Sequence, residues 1–152
     1  MMKRSEKERT DPAWIAGVLR DATVCRVAFA GPEPYLVPLC FGYEENRIYV
    51  HSAPEGKKMD RFAQTPRVCV EFEAGVKLVQ AGPPCSWGMN YRSVIASGTA
   101  HIVEDEGEKI RALSLIAGHY GAEGIISPDS AVRVAVIRID LDEVSGKTAG
   151  YP

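Results

Sequence analysis

Between Tyr35 and Phe41 the chain reads YLVPLCF, apolar almost without a break, and this run constrains the rest of the sequence more than any other feature. A strand with one solvated face alternates apolar and polar residues. An unbroken run needs cover on both faces, one from a core and the other from something else. Glu44-Glu45-Asn46 supplies a polar turn, and Arg47-Ile48-Tyr49-Val50-His51-Ser52 reads as the returning strand. Where that strand ends, the chemistry changes abruptly to small and polar residues followed by Gly56-Lys57-Lys58, which marks a rim.

Three features of this rim suit a phosphate group. Gly56 lets the backbone come close to a ligand, and Lys57 and Lys58 supply positive charge. The segment KKMDRFAQ, Lys57 to Gln64, has helical character, so its free amides point at whatever precedes it. Two adjacent lysines are also what an ordinary solvated surface presents. Adjacent helical residues point about 100° apart, however, so the pair does not line a single solvated stripe, and Met59 and Phe62 are left to anchor the helix.

A chain of 152 residues is one domain's worth, long enough to bury a core without disulfides or metals. A net charge of −2 gives no dominant basic face and argues against nucleic acid as a partner. No apolar run approaches the length of a membrane span, and MMKRSEKERT at the start is polar with no hydrophobic signal region behind it, so a cytoplasmic protein off the membrane is expected. Cys25, Cys40, Cys69 and Cys85 are far apart, three of them within apolar strand-like runs. They read as buried reduced thiols, with no metal site.

Residues 1–10 are expected to form a flexible segment, 11–147 a single domain, and 148–152 a tail. Asp11-Pro12 opens a helix with Trp14, Ile15, Val18 and Leu19 on its apolar face, ending near Asp21. Val24 to Phe29 is a strand, Gly31-Pro32-Glu33-Pro34 a turn, and Arg67 to Phe72 the strand after the basic helix, which Thr65-Pro66 stops. From Glu73 to Asn90 the periodicity is broken, and Gly82-Pro83-Pro84 suggests a long ordered loop that covers a ligand or crosses to a partner, or a weak extra strand from Lys77 to Gln80. Tyr91 to Val103 is a long strand with a bulge at Gly98, Asp105 to Tyr120 a helix, and Val132 to Leu141 the last strand. The sum is a mainly β domain with peripheral helices, better closed as a barrel than left with bare edges. Parallel α/β is disfavoured, since no GxGxxG follows a strand.

The runs VPLCFGY, IYVHSAPEGKKMDRFAQTPRVCVEFE and YRSVIASGTAHIVED resemble the pyridoxamine 5′-phosphate oxidase-like FMN-binding split barrels, most closely their nitroimidazole-resistance branch, over about Cys25 to Lys147. The resemblance implies a six-stranded antiparallel split barrel, a homodimer, and FMN held between subunits. It places the flavin against the backbone of Val37, Pro38 and Leu39, against His51, Ser52 and Ala53 at the strand end, and against Arg92 and Ser93. Lys57 and Lys58 would take the phosphate. It also implies oxidoreduction by the cofactor, with electrons from a nicotinamide or another donor passed to a small planar acceptor such as a nitroaromatic. His51 is the catalytic candidate, as a stacking or proton-handling group beside the flavin, and equally reads as a satisfied strand-end histidine. Trp87 and Tyr91 suit either a ring cap or a core or interface position. Where the pyridoxamine 5′-phosphate oxidases carry arginine at the phosphate, this chain has lysine. A rival reading is a flavin- or haem-binding protein without turnover, His51 then being an axial ligand.

Overall fold

Residues 5–152 are described by a computed structural model. Along the chain they form β1 (Glu8–Arg9), α1 (Pro12–Asp21), β2 (Cys25–Phe29), β3 (Tyr35–Leu39), β4 (Phe41–Glu44), β5 (Arg47–Ser52), α2 (Lys57–Gln64), β6 (Arg67–Val79), β7 (Gly88–Ile102), α3 (Glu106–His119), α4 (Pro128–Ala131) and β8 (Ala135–Ala149). The strands make one antiparallel sheet in the order β3-β2-β6-β7-β8-β5-β4, with β1 added to β8. β3 and β4 stand at opposite ends of this path, yet only Cys40 separates them in sequence. The covalent chain therefore closes the sheet on itself. Counted as one strand broken at Cys40, β3 and β4 give the expected six-stranded barrel, and the break is its split.

Alternation along the strands fills the barrel. Val27, Phe41, Ile48, Val50, Val70, Phe72, Val94, Ile137 and Ile139 face inward and are fully buried. Phe41 meets Phe72 edge-on at 5.1 Å between ring centroids. α1 forms as its sequence indicates: Asp11 accepts a hydrogen bond from the Trp14 amide at 2.8 Å, Pro12 starts the first turn, and Ile15, Val18 and Leu19 are buried against the barrel. α3 is capped in the same way, by Asp105 accepting from the Glu108 amide, and covers the outer side of β4 and β5 through Ala112 and Ile116. Gly42 is what allows that approach, because a Cβ there would sit 2.7 Å from the Ile116 amide nitrogen.

Several boundaries depart from the sequence reading, each for a local reason. The run Tyr35 to Phe41 is two strands, and within one chain only its inner face is covered: Leu36 and Pro38 point outward and are exposed. Cys40 and Cys69 likewise fall on outward positions, so of the four cysteines only Cys25 is buried, its thiol pushed up to about 12 by burial. The stretch Glu73 to Asn90 is a hairpin and not a long loop: the extra strand expected near Lys77 to Gln80 is present as the end of β6, at Val79. A bulge between Ala74 and Lys77 breaks the alternation, and pairing resumes at Lys77–Asn90, Leu78–Met89 and Val79–Gly88. The bulge at Gly98 is present, where a Cβ would press within 2.5 Å of the Asp140 carbonyl oxygen. β8 continues well past Leu141 to Ala149, so Thr148 belongs to the barrel rather than to a tail, and the Trp14 indole donates to the Pro152 carbonyl. At the other terminus Glu8 and Arg9 pair with Lys147 and Gly146, which gives part of the segment 1–10 a place in the sheet; residues 1–4 lie outside the described range. Among the described residues no helix is long and apolar enough to cross a membrane.

Candidate functional site

The basic rim forms where β5 gives way to α2. Gly56 caps α2 with φ +115°, a conformation that excludes a side chain, and a Cβ there would meet nothing within 4 Å. α2 has no side-chain hydrogen bond at its cap, whereas Asp11, Asp105 and Ser127 cap the other three helices. The first-turn amides of α2 are thus left for another acceptor. Met59 and Phe62 anchor the helix as expected, Phe62 packing edge-on against Phe29 at 4.7 Å between centroids. The Lys57 ammonium lies over the Tyr35 ring, 4.8 Å from its centroid, with the Arg61 guanidinium at 5.8 Å. Tyr35 and Arg61 are rim residues that reading the sequence missed. An aromatic directly after Pro34, ahead of an apolar strand, was the available signal.

His51 is the last outward-facing residue of β5, opposite Val136 of β8 and next in sequence to the buried Ser52. Its ring reaches solvent on one side. The protein around it disfavours the charged form, and the positive charge of Lys58 adds to this, so its pKa lies below the ordinary histidine value. The ring is therefore mostly neutral at pH 7. Replacing Lys58 with alanine is expected to move the His51 titration upward, toward the ordinary value, when followed by NMR of the imidazole carbon-bound protons. An unchanged titration would mean that the two groups do not interact.

Val37 and Leu39 pack their side chains against the core, while Pro38 faces out. β3 pairs only with β2, so the backbone groups along its far edge have no strand partner among the described residues and are available to a ligand. In a single chain the rim is an open shelf: Ala53, Pro54, Glu55, Gly56 and Lys57 are all exposed. A cavity of about 180 Å³ does exist, but it lies elsewhere, between α1 and the barrel end, lined by Ile15, Leu19, Tyr43, Leu141 and Val144.

Arg92 and Ser93 are not brought to this shelf. Tyr35, Phe29, Val68 and Gly98 lie in one cross-strand row, and Lys57 sits over Tyr35, which fixes the level of the rim. Ser93 pairs with Glu73, five residues further along β6. That places it about 17 Å along the strands and, across three strand spacings, about 14 Å to the side. Ser93 also faces outward, whereas Arg92 faces the barrel end, donating to Asp21 at 3.1 Å and lying over the Tyr151 ring at 5.6 Å. The Arg92 Nε is buried without a partner. On one chain, then, Arg92 and Ser93 stand well away from Tyr35 and Lys57, while Leu39, in one row with Cys25, Phe72 and Val94, is level with them but three strands to the side.

Residues 11–148 match the family model described as pyridoxamine 5′-phosphate oxidase. A candidate 5-nitroimidazole antibiotic resistance protein from Bacteroides thetaiotaomicron is 33% identical, superposes with a TM-score of 0.82, and the alignment covers 93% of this chain and 86% of that one. An FAD-binding protein from Mesorhizobium loti is 26% identical with a TM-score of 0.69, covering 94% and 99% of the two chains. The flavocytochrome Anf3 from Azotobacter vinelandii shares the fold at 20% identity and a TM-score of 0.83, covering 100% of this chain and 73% of that one. No curated protein matches the sequence. With the split barrel closed at Cys40 and a family match that spans nearly the whole chain, this protein belongs to the pyridoxamine 5′-phosphate oxidase-like split barrels, on their nitroimidazole-resistance branch.

Proposed function

We propose that the protein is an FMN-dependent reductase that works as a homodimer and passes electrons from a nicotinamide or similar donor to a small planar acceptor of the nitroaromatic class. The observation that carries this reading is the N-terminus of α2, which has no side-chain cap, has two lysines in its first turn, and opens onto a shelf bordered by the free edge of β3. Such a cradle suits the phosphate of a flavin nucleotide, and the β3 edge suits the polar rim of a flat ring.

When bound, the flavin supplies the electron transfer. The chain's own residues bind and orient it. Lys57 and Lys58 would neutralise the phosphate, with Lys57 held in place over Tyr35. The unpaired backbone edge from Val37 to Leu39 would hydrogen-bond to the ring, and neutral His51 would exchange a proton with solvent on its exposed side. The open shelf is also what favours a dimer. Ile95 and Met89 share the outward face of β7 and are exposed, and a second copy laid on that face would bury them.

Absorption of the purified protein tests the reading. A band near about 450 nm with FMN as the extracted cofactor is expected, together with reduction of a model nitroaromatic that slows in His51→Ala without loss of the fold. An intense band near about 400 nm would mean haem instead, and a colourless protein that ignores added FMN would end the flavin reading. Sedimentation is expected to show one species at twice the monomer mass.

A further inference from the structure

The cavity of about 180 Å³ between α1 and the barrel end takes no part in the shelf. Asn46, which lines it, sits in the turn before β5, and His51 is five residues further along that strand, about 17 Å away. The lining is graded from inside to outside. Ile15 and Leu19 of α1 are buried and form the floor, Tyr43, Leu141 and Val144 are half-buried, and Thr10 and Asn46 at the mouth are exposed.

Fixed contacts hold the space open. Trp14 seats α1 on Gly146, where a Cβ would clash with the indole, and the Leu141 amide donates to the Asn46 carbonyl at 2.9 Å. Between these two anchors β8 carries an extra residue, Asp142, opposite the step from Ser97 to Gly98, and the bulge bends the strand that supplies Leu141 and Val144. Helix and strand are thus kept from collapsing onto each other.

Size, charge and hydrogen bonding together specify an occupant. An apolar cavity of about 150 Å³ is enough to take up benzene, so this one has room for one aromatic ring and a small substituent. No residue that lines it is ionised at pH 7, and an ion entering it would lose hydration without compensation. Tyr43 stands in the wall with no partner for its hydroxyl among the described residues, in contrast to Tyr49 and Tyr120. Burial pushes the Tyr43 pKa up, so the hydroxyl keeps its proton and can donate it.

We propose that this cavity is a binding site for a neutral single-ring aromatic molecule of the phenol class, its ring against Ile15 and Leu19 and its hydroxyl bonded to Tyr43 on the open side. The site is separate from the shelf and stands whether or not the protein takes a flavin. Because α1 supplies the floor, occupancy clamps that helix to the barrel and stabilises the folded chain.

Titration of the full-length protein with phenol, followed by NMR of the Ile15, Leu19, Leu141 and Val144 methyl groups, tests the assignment. Saturable shifts at those methyls are expected, with a rise in the midpoint of thermal unfolding. Benzoate, similar in size but charged, should bind at least about tenfold more weakly. Val144→Phe should fill the space and abolish the shifts. Tyr43→Phe keeps the wall and removes only the hydroxyl, so it should weaken phenol by about fivefold and leave benzene unchanged. Should Val144→Phe fail to fold, Tyr43→Phe and benzoate decide the matter. Phenol binding that neither variant alters, benzoate binding as tight as phenol, shifts confined to the shelf around His51 and Lys57, or no saturable shift at all would each overturn the proposal.

Discussion

Apoprotein carrying Lys57→Ala and Lys58→Ala together is expected to bind FMN on the order of a hundredfold more weakly than wild type, or worse, while its affinity for riboflavin stays nearly unchanged. On the proposed reading each lysine would make a charge-assisted contact with phosphate worth about 1.5–3 kcal/mol, and every 1.4 kcal/mol is a factor of about ten in affinity. The α2 amides remain in the double variant, so some phosphate binding persists. Riboflavin isolates the phosphate because it lacks one. Wild type should hold it far less tightly than FMN, and the double variant should hold it about as well as wild type does. Fluorescence quenching titrations of both flavins decide the matter. Equal losses for the two ligands, or no loss for either, would take both lysines out of the site.

Phe41→Ala is expected to destabilise the protein by about 3–5 kcal/mol, close to the loss that unfolds a typical domain at physiological temperature. Phe41 is the first residue after the split and is fully buried. Its ring meets Phe72 from the far side of the barrel and lies 4.3 Å, centroid to centroid, from His119 at the end of α3. The Tyr120 hydroxyl accepts from the Phe41 amide at 3.2 Å and donates to the Thr23 carbonyl at 2.7 Å, so the same residue ties the end of α3 to the start of β4 and to the segment that leads into β2. Alanine would leave a cavity where three elements converge, and backbone ties alone hold them too firmly for the space to collapse. Urea unfolding followed by circular dichroism measures the loss. A cost below about 1.5 kcal/mol, the range of volume-conserving core changes, would mean that the split is held by its backbone rather than by this ring.

What the sequence made legible was local. Asp11-Pro12 and Asp105 announce their helices because capping is a property of a few adjacent residues, and both side chains make the expected hydrogen bonds. Lys57, Lys58, Met59 and Phe62 sort onto opposite sides of α2 for the same reason. The features that escaped are non-local. Nothing in YLVPLCF shows that its two halves pair with β2 and β5 at opposite ends of the sheet, because each half alternates normally and only the pairing partner changes at Cys40. The bulge after Ala74 hid a hairpin that Leu78, Met89 and the Gly82-Pro83-Pro84 turn otherwise encode. The exposure of Cys40 and Cys69 followed from strand phase, which an apolar run does not reveal.

The candidate site divides in the same way. Its basic half was readable because turn, glycine, lysines and helix are contiguous. The separation of Ser93 from Lys57 depends on strand order, which spacing along the chain does not carry. Tyr35 was overlooked because its part is to position Lys57 from another strand, a relation visible only once β3 and α2 are seen side by side.

The single-residue junction at Cys40 also dictates the order in which the molecule can be assembled during synthesis. β3 finds β2 at once, next to it in the chain. β4 and β5 form a hairpin within a few residues, but its only route into the sheet is through β8, with Arg47 opposite Asp140 and Ser52 opposite Ala135. Until β8 has left the ribosome, that hairpin swings from Cys40 beside a growing sheet it cannot join. Closure then depends on contacts some ninety residues apart, the kind of long-range pairing that makes folding slow. A nascent chain stalled before Ala135 would leave open the two strand edges that β8 covers, on β7 and β5, and would be a natural client for chaperones.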